Sequence, residues 1–210
     1  MCKKILFLTL MITGTLLTAC SRLYLHDKHM DVYEKLHRYY GEMKSYSATV
    51  HITAFSNKTQ NEYTAYQKVI APNQFYVKMT SSDTKLSVTA IEQNGMVKTF
   101  SEGSDCSVTL PSAEHTGLLF VNRFFAKYYA SEQTAISVSG GTDEHVTILE
   151  TELYENTPRI FQARLTVDNK TLAPIELLLT DSAGKPVLKG EFKEFQYNDT
   201  IDQSIFSTEE

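Results

Sequence analysis

The chain has 210 residues, 42% of them hydrophobic, with 20 basic and 25 acidic side chains for a formal charge of −5. That length supports one domain with a sizeable core. The acidic balance and the lack of a long basic run leave no footprint for nucleic acid, and no electrostatic pull toward an anionic membrane.

The first twenty residues read as an export signal. Lys3 and Lys4 precede an apolar run from Ile5 to Leu17, and Leu17-Thr18-Ala19-Cys20 closes it. A basic start, a short apolar stretch and small residues make a secretory signal. A cysteine directly after Leu-x-Ala points to the lipoprotein version, cleaved between Ala19 and Cys20, with diacylglycerol on the Cys20 thiol. The run is shorter than the roughly 20 apolar residues that span a bilayer. The expected organisation is a signal peptide at 1–19, a lipidated tether at 20–30 and a single domain at 31–210. The mature chain keeps 191 residues, with 18 basic against 25 acidic side chains, or −7. Acyl chains, not charge, must then hold it to the outer face of the cytoplasmic membrane. Stable anchoring takes more than one chain, which a diacylated cysteine supplies. Of three cysteines only Cys106 remains as a thiol, so the mature chain forms no internal disulfide. A lone exported cysteine reads as a small buried hydrophobe, with a reactive or inter-chain thiol as the alternative.

After the tether, Asp31 caps a first helix in which Val32, Leu36, Tyr39, Tyr40 and Met43 recur at helical spacing. Gly41 marks its end. His37 falls on the opposite, polar side. The period then changes to two. Tyr46, Ala48, Val50, Ile52 and Ala54 alternate with Ser45, Ser47, Thr49, His51 and Thr53, which predicts a half-buried antiparallel strand over Ser45–Phe55. Further strands are predicted at Glu62–Ala71, Gln74–Ser81, Leu86–Gln93 and Met96–Glu102. Asn94-Gly95 supplies a two-residue hairpin between the last two. Residues 103–117 read as irregular. A second helix is expected over Leu118–Ala130, with Leu118, Phe120, Val121, Phe124, Phe125 and Tyr128 making a wide apolar stripe, and Asn122, Arg123 and Lys127 opposite. Strands resume at Ala135–Ser139, His145–Leu153, Phe161–Val167, Ala173–Leu179 and Pro186–Tyr197. Ile201, Ile205 and Phe206 are expected to tuck against the body, ahead of a free tail from Ser207. About ten strands at roughly 10-residue spacing and two helices define a mainly β, α+β fold. Two helices cannot cover so large a flat sheet. A strongly curved, half-open barrel with helices over its concave face solves that problem.

Sites for chemistry are scarce. His26 and His29, three apart, lack a third metal ligand, and no histidine sits in an HExxH frame. Ser82-Asp83-Thr84-Lys85 has the spacing of Ser–Lys acyl enzymes, but it falls in a turn rather than at a helix start, and no partner motif follows. Asp143, Glu144 and Asp181 read as turn residues, and Glu191 and Glu194 as solvated strand positions. No Gly-rich loop precedes a helix in the phosphate-binding manner. No catalytic residue, metal or cofactor is therefore expected. Twelve Tyr and eleven Phe supply either core or a groove for an acyl chain or a partner's side chains.

Several stretches resemble the LolA/LolB-like superfamily of lipoprotein carriers and, within it, the clostridial germination lipoproteins of the GerS group. They are Tyr39-Tyr40-Gly41-Glu42-Met43-Lys44-Ser45-Tyr46-Ser47-Ala48, Ala71-Pro72-Asn73-Gln74-Phe75, and Leu118-Leu119-Phe120-Val121-Asn122-Arg123-Phe124-Phe125 followed by Ser131-Glu132. Leu165-Thr166-Val167-Asp168-Asn169-Lys170-Thr171-Leu172-Ala173-Pro174 and Glu194-Phe195-Gln196-Tyr197-Asn198, then Ile201-Asp202 and Phe206, complete the set. These are signatures of a fold, not of catalysis. The resemblance implies an incomplete antiparallel barrel with a helical lid and a non-enzymatic role. It implies a membrane-tethered spore lipoprotein that supports cortex breakdown by partnering an N-acetylmuramoyl-L-alanine amidase. A lipidated Cys20 suits an anchored partner better than a diffusing carrier. The alternative is an envelope acceptor for lipids or lipoproteins with an acyl chain in its concave groove; a third, weaker reading is an envelope hydrolase.

Overall fold

The structure, a computed structural model, describes residues 31–104, 106–112, 119–138, 145–153 and 159–207. Ala19 and Cys20, with the whole signal and tether, lie outside the described residues, as do His26, His29, His115, Leu118, Asp143 and Glu144. The chain divides into two compact units, 1–35 and 36–210. Asp31 opens helix α1 (Val32–Gly41), whose residues from Leu36 onward belong to the second unit. The Asp31 Oδ1 accepts the Glu34 N–H at 2.8 Å, satisfying a donor that the first helical turn leaves unpaired.

The second unit is built on one eleven-stranded antiparallel sheet in the order β6-β5-β4-β3-β2-β1-β11-β10-β9-β8-β7. The strands are β1 (Ser45–Phe55), β2 (Gln60–Ile70), β3 (Gln74–Ser81), β4 (Ser87–Gln93), β5 (Met96–Ser101), β6 (Ser107–Pro111), β7 (Thr134–Val138), β8 (Val146–Glu152), β9 (Gln162–Asp168), β10 (Pro174–Thr180) and β11 (Pro186–Tyr197). Helix α2 (Val121–Ala130) lies between β6 and β7 in sequence. The sheet does not close: β6 and β7 are its two edges. This is the expected incomplete barrel, with eleven strands instead of about ten.

The added strand is β6, inside the stretch expected to be irregular. Ser107-Val108-Thr109-Leu110-Pro111 does alternate, but it is short, flanked by Ser, Gly and Asp, and paired only to β5. An edge position tolerates Pro111, because no neighbour needs its missing N–H.

Register decides which residues face the lid. Tyr46, Ala48, Val50 and Ile52 of β1 share the inner face with Ala65, Gln67 and Val69 of β2, and all seven are buried. On the other side, Leu149, Leu165 and Leu177 stand opposite one another across β8, β9 and β10, with Leu179 of β10 beside them opposite Ala163, and the four leucines are each 0–1% exposed. A fully buried leucine contributes about 1.5–3 kcal/mol, so this leucine ladder is a large share of the core. Phe120, Val121, Phe124, Phe125 and Tyr128 of the α2 region bury the facing stripe. Gly190 of β11 makes room for the cover: a Cβ there would lie 3.1 Å from Val50 and 3.5 Å from Leu119. The C-terminal half of α1 joins this core. The Tyr40 ring stacks on Phe125 at 4.1 Å and its hydroxyl donates to the Leu172 carbonyl at 2.6 Å, while Tyr39 stacks on Tyr197 at 3.9 Å. Burial, with the nearby Tyr197, pushes the Tyr39 hydroxyl up to about 12.

Asn94 and Gly95 both take positive φ (54° and 77°), as a type I′ hairpin turn between paired Gln93 and Met96 requires. At the chain end, Ile201 and Phe206 pack with Ile91 on the outer face, as the expected tucking requires, joined by Ile70, Tyr76, Phe100 and Ile205.

Candidate functional site

The inner face has two halves. Under α2 it is a filled core. Beyond β2, on a wing formed by β3 to β6, the same face is apolar and half open. Phe75 starts the row, packed on Phe120 at 4.7 Å between ring centres. Val77 and Met79 follow on β3, paired to Ala90 and Val88 on β4; Val97 and Thr99 continue on β5, paired to Leu110 and Val108 on β6. Val77, Met79, Val88, Ala90 and Val97 are only partly buried. Val108 and Leu110 are 57% and 60% exposed. An apolar row left partly open on a sheet face is a candidate interaction surface.

The boundary between the two halves is a set of polar ties on the first turn of α2. Glu92, on the inner face of β4 with a side chain only 3% exposed, meets the Arg123 guanidinium at 3.2 Å. Asn122 Nδ2 donates to the Pro72 carbonyl at 3.0 Å. The Val121 N–H donates at 3.3 Å to the hydroxyl of Tyr46, which itself donates to Gln67 Oε1 at 3.2 Å. Phe120 at the N-cap offers no side-chain acceptor, so Tyr46 from β1 does the capping from across the core. Burial pushes the Tyr46 hydroxyl well up, and it remains a neutral donor and acceptor. Together these contacts fix the helix where the filled half ends and the open half begins.

Helical spacing puts Asn122 and Arg123 on the solvent side of the helix; Arg123 reaches Glu92 on the sheet instead, and Asn122 the β2–β3 turn. Glu92 is not singled out by the sequence pattern alone, although it has the inner-face parity of Val88 and Ala90. His37, expected on a polar face, has its ring 4.9 Å from Tyr129 and 6.1 Å from Tyr128, and desolvation lowers its pKa. Cys106, expected to be buried, is an exposed free thiol beside β6, because an edge strand offers it no second neighbour.

Other sequence candidates are where turns and wet strands put them. Ser82–Lys85 forms the β3–β4 turn, with the Lys85 N–H donating to the Ser81 carbonyl at 3.1 Å. Asp181 Oδ1 accepts the Ala183 and Lys185 N–H groups at 2.9 and 2.8 Å in the β10–β11 turn. Glu191 pairs with Lys189 at 2.6 Å, and Glu194 accepts from the Thr49 hydroxyl at 3.1 Å. His51 meets the Thr64 hydroxyl at 3.4 Å. Among the described residues no group of three His, Cys, Asp or Glu side chains could hold a metal ion. No helix of the described residues is long and apolar enough to cross a membrane.

The profile of a family described as "Sporulation protein YdcC-like" matches residues 2–206. No curated protein matches the chain. Among solved structures, the chain is similar to one in the complex of the CwlD amidase from Clostridioides difficile with the GerS lipoprotein. Identity is 21%, covering 82% of this chain and 98% of that one, with a TM-score of 0.50. An uncharacterized conserved protein from Thermus thermophilus has 11% identity over 85% and 93% of the two chains, with a TM-score of 0.52. The LolA superfamily protein NE2245 from Nitrosomonas europaea has 10% identity over 84% and 96%, with a TM-score of 0.45. At these identities the first two likenesses concern the fold alone.

Proposed function

The chain belongs to the sporulation protein YdcC-like family, and from that premise we propose an exported, lipid-anchored binding protein that supports spore germination by partnering a cortex-modifying amidase. Cys20 carries the lipid and residues 20–30 are the tether, after removal of 1–19. The domain itself performs no catalysis; it presents a surface. The observation that carries this reading is the half-open apolar inner face of the β3–β6 wing, beside a lid helix fixed by buried contacts. The fold it shares with a chain of the CwlD–GerS complex supports an amidase as the partner. An extended, shallow apolar face suits a protein surface, whose buried centre is apolar and whose rim is polar.

The test is direct mixing of the purified full chain with the cortex amidase of its own organism. Binding is expected, with a rise in amidase activity, and Val97→Asp should weaken both by about tenfold or more, since it sets a second carboxylate opposite Glu92 on the face to be buried. An amidase that neither binds nor responds would overturn the reading. A second reading, an envelope acceptor for lipids or lipoproteins, draws on the apolar pairs Val77–Ala90 and Met79–Val88, with Val97 on the same face. Saturable uptake of a fatty-acyl probe, blocked by Val97→Asp and without amidase binding, would select it. The anchor has its own test: Cys20→Ala should move the protein from the membrane pellet to the soluble fraction, and retention in the pellet would rule out the lipid.

A further inference from the structure

The outer face of the wing holds a second, unrelated feature. Where the C-terminal segment crosses β3 and β4, a cleft of about 500 Å³ opens between the short 3-10 turn Gln203–Phe206 and the β5–β6 hairpin. Its apolar floor is Tyr76, Ile91, Phe100 and Ile205. Its rim carries Lys98, the exposed Cys106 thiol and the hydroxyls of Ser104, Ser107, Ser204 and Ser207.

Three observations separate this cleft from ordinary surface. The rest of the outer face nearby is polar, with Lys78, Thr80, Ser87 and Thr89 on it, so the apolar floor is local. Its Ile91 is buried in the small core of Ile201 and Phe206, while Tyr76, Phe100 and Ile205 are left partly open. The charges are also unevenly used. Lys78 pairs with Glu102 at 3.2 Å, whereas Lys98 makes no ion pair among the described residues. An ammonium on a half-buried stem beside hydroxyl donors favours an anion, and the floor favours an apolar body. The volume lies within the roughly 300–1,000 Å³ usual for small-molecule sites.

We propose that this cleft binds a small amphiphile with a single carboxylate head and a short apolar body, the carboxylate on Lys98 and the body on Tyr76, Ile91, Phe100 and Ile205. The site is separate from the inner face and does not depend on its partner. Occupancy would hold the C-terminal turn against β3 and β4.

Cys106 makes the site measurable. The full-length chain with Cys2→Ser and Cys20→Ser keeps Cys106 as its only thiol. Its alkylation rate is measured with octanoate, with octyltrimethylammonium and with neither. Octanoate should slow alkylation saturably, and the cation should not. Lys98→Gln should raise the half-protecting octanoate concentration by about tenfold. Amide shifts of Ile91, Phe100 and Ile205 provide a readout that does not use the thiol: octanoate should move them in the parent and much less in Lys98→Gln. Unmoved shifts with unslowed alkylation, equal protection by the cation, or undiminished protection in Lys98→Gln would each overturn the proposal.

Discussion

The filled half of the inner face, β8 to β10 under helix α2, and the open wing of β3 to β6 carry the same period-two alternation. They differ in what lies over them. Leu149, Leu165, Leu177 and Leu179 are 0–1% exposed beneath an aromatic helix, while Val108 and Leu110 on the far wing are 57% and 60% exposed. One strand pattern thus gives core on one side and candidate binding surface on the other. Cover, not composition, makes the difference, and a row of alternating valines does not by itself mean buried.

Truncations on the two sides should separate them most sharply. Leu177→Ala should cost about 2–5 kcal/mol, because the ladder across β8 to β10 cannot collapse into the void. Val88→Ala, on the wing, should cost less than about 1 kcal/mol, since water already reaches it. Urea unfolding of both variants reads this; equal losses would mean that the wing is core too. The boundary comes next. Glu92→Ala leaves Arg123 facing a largely buried site without its carboxylate and should cost about 2–3 kcal/mol, below the full cost of breaking a buried pair because Arg123 is 25% exposed. A thermal melt is the check. Tyr46→Phe keeps the ring but removes the cap from the Val121 N–H and a partner from Gln67, for a loss of about 1–2 kcal/mol. Hydrogen exchange at Val121 should rise with it.

The smallest effect belongs to the turn that closes the filled half. Asp168 Oδ1 accepts from the Thr171 N–H at 2.7 Å, the Thr171 hydroxyl at 2.8 Å and the Lys170 N–H at 3.0 Å. The bonds from Thr171 lead in holding its pKa below the ordinary 3.8. A carboxylate with a depressed folded-state pKa contributes stability above its unfolded value and loses it as pH falls. Asp168→Asn should therefore be less stable than the parent by about 1 kcal/mol or less near neutrality. That gap should close as pH drops below 3.8. A gap that persisted in acid would mean the turn is held by shape instead.

Much of the fold was legible because strand parity and turn chemistry are local. β1, β3 and β11 run over the expected residues, and Asn94-Gly95 makes the expected turn. What stayed hidden depends on distant residues. Tyr46 caps a helix that starts 75 positions later, and Arg123 finds Glu92 31 positions earlier. No spacing rule links such pairs before the sheet brings them together. β6 was hidden because its one partner strand gives it little burial, and Cys106 is exposed for the same reason. The resemblance to the LolA-like superfamily conveyed the barrel and its lid, but not which half of the concave face is filled.

The open wing, not the filled half, is the proposed partner-binding face. That assignment is tested most directly by titrating the organism's cortex amidase against the parent chain and against Val97→Asp, after circular dichroism and urea unfolding have shown that the variant remains folded. Saturable binding by the parent is expected, with a loss of about tenfold or more in the variant. Undiminished amidase binding by folded Val97→Asp would contradict it.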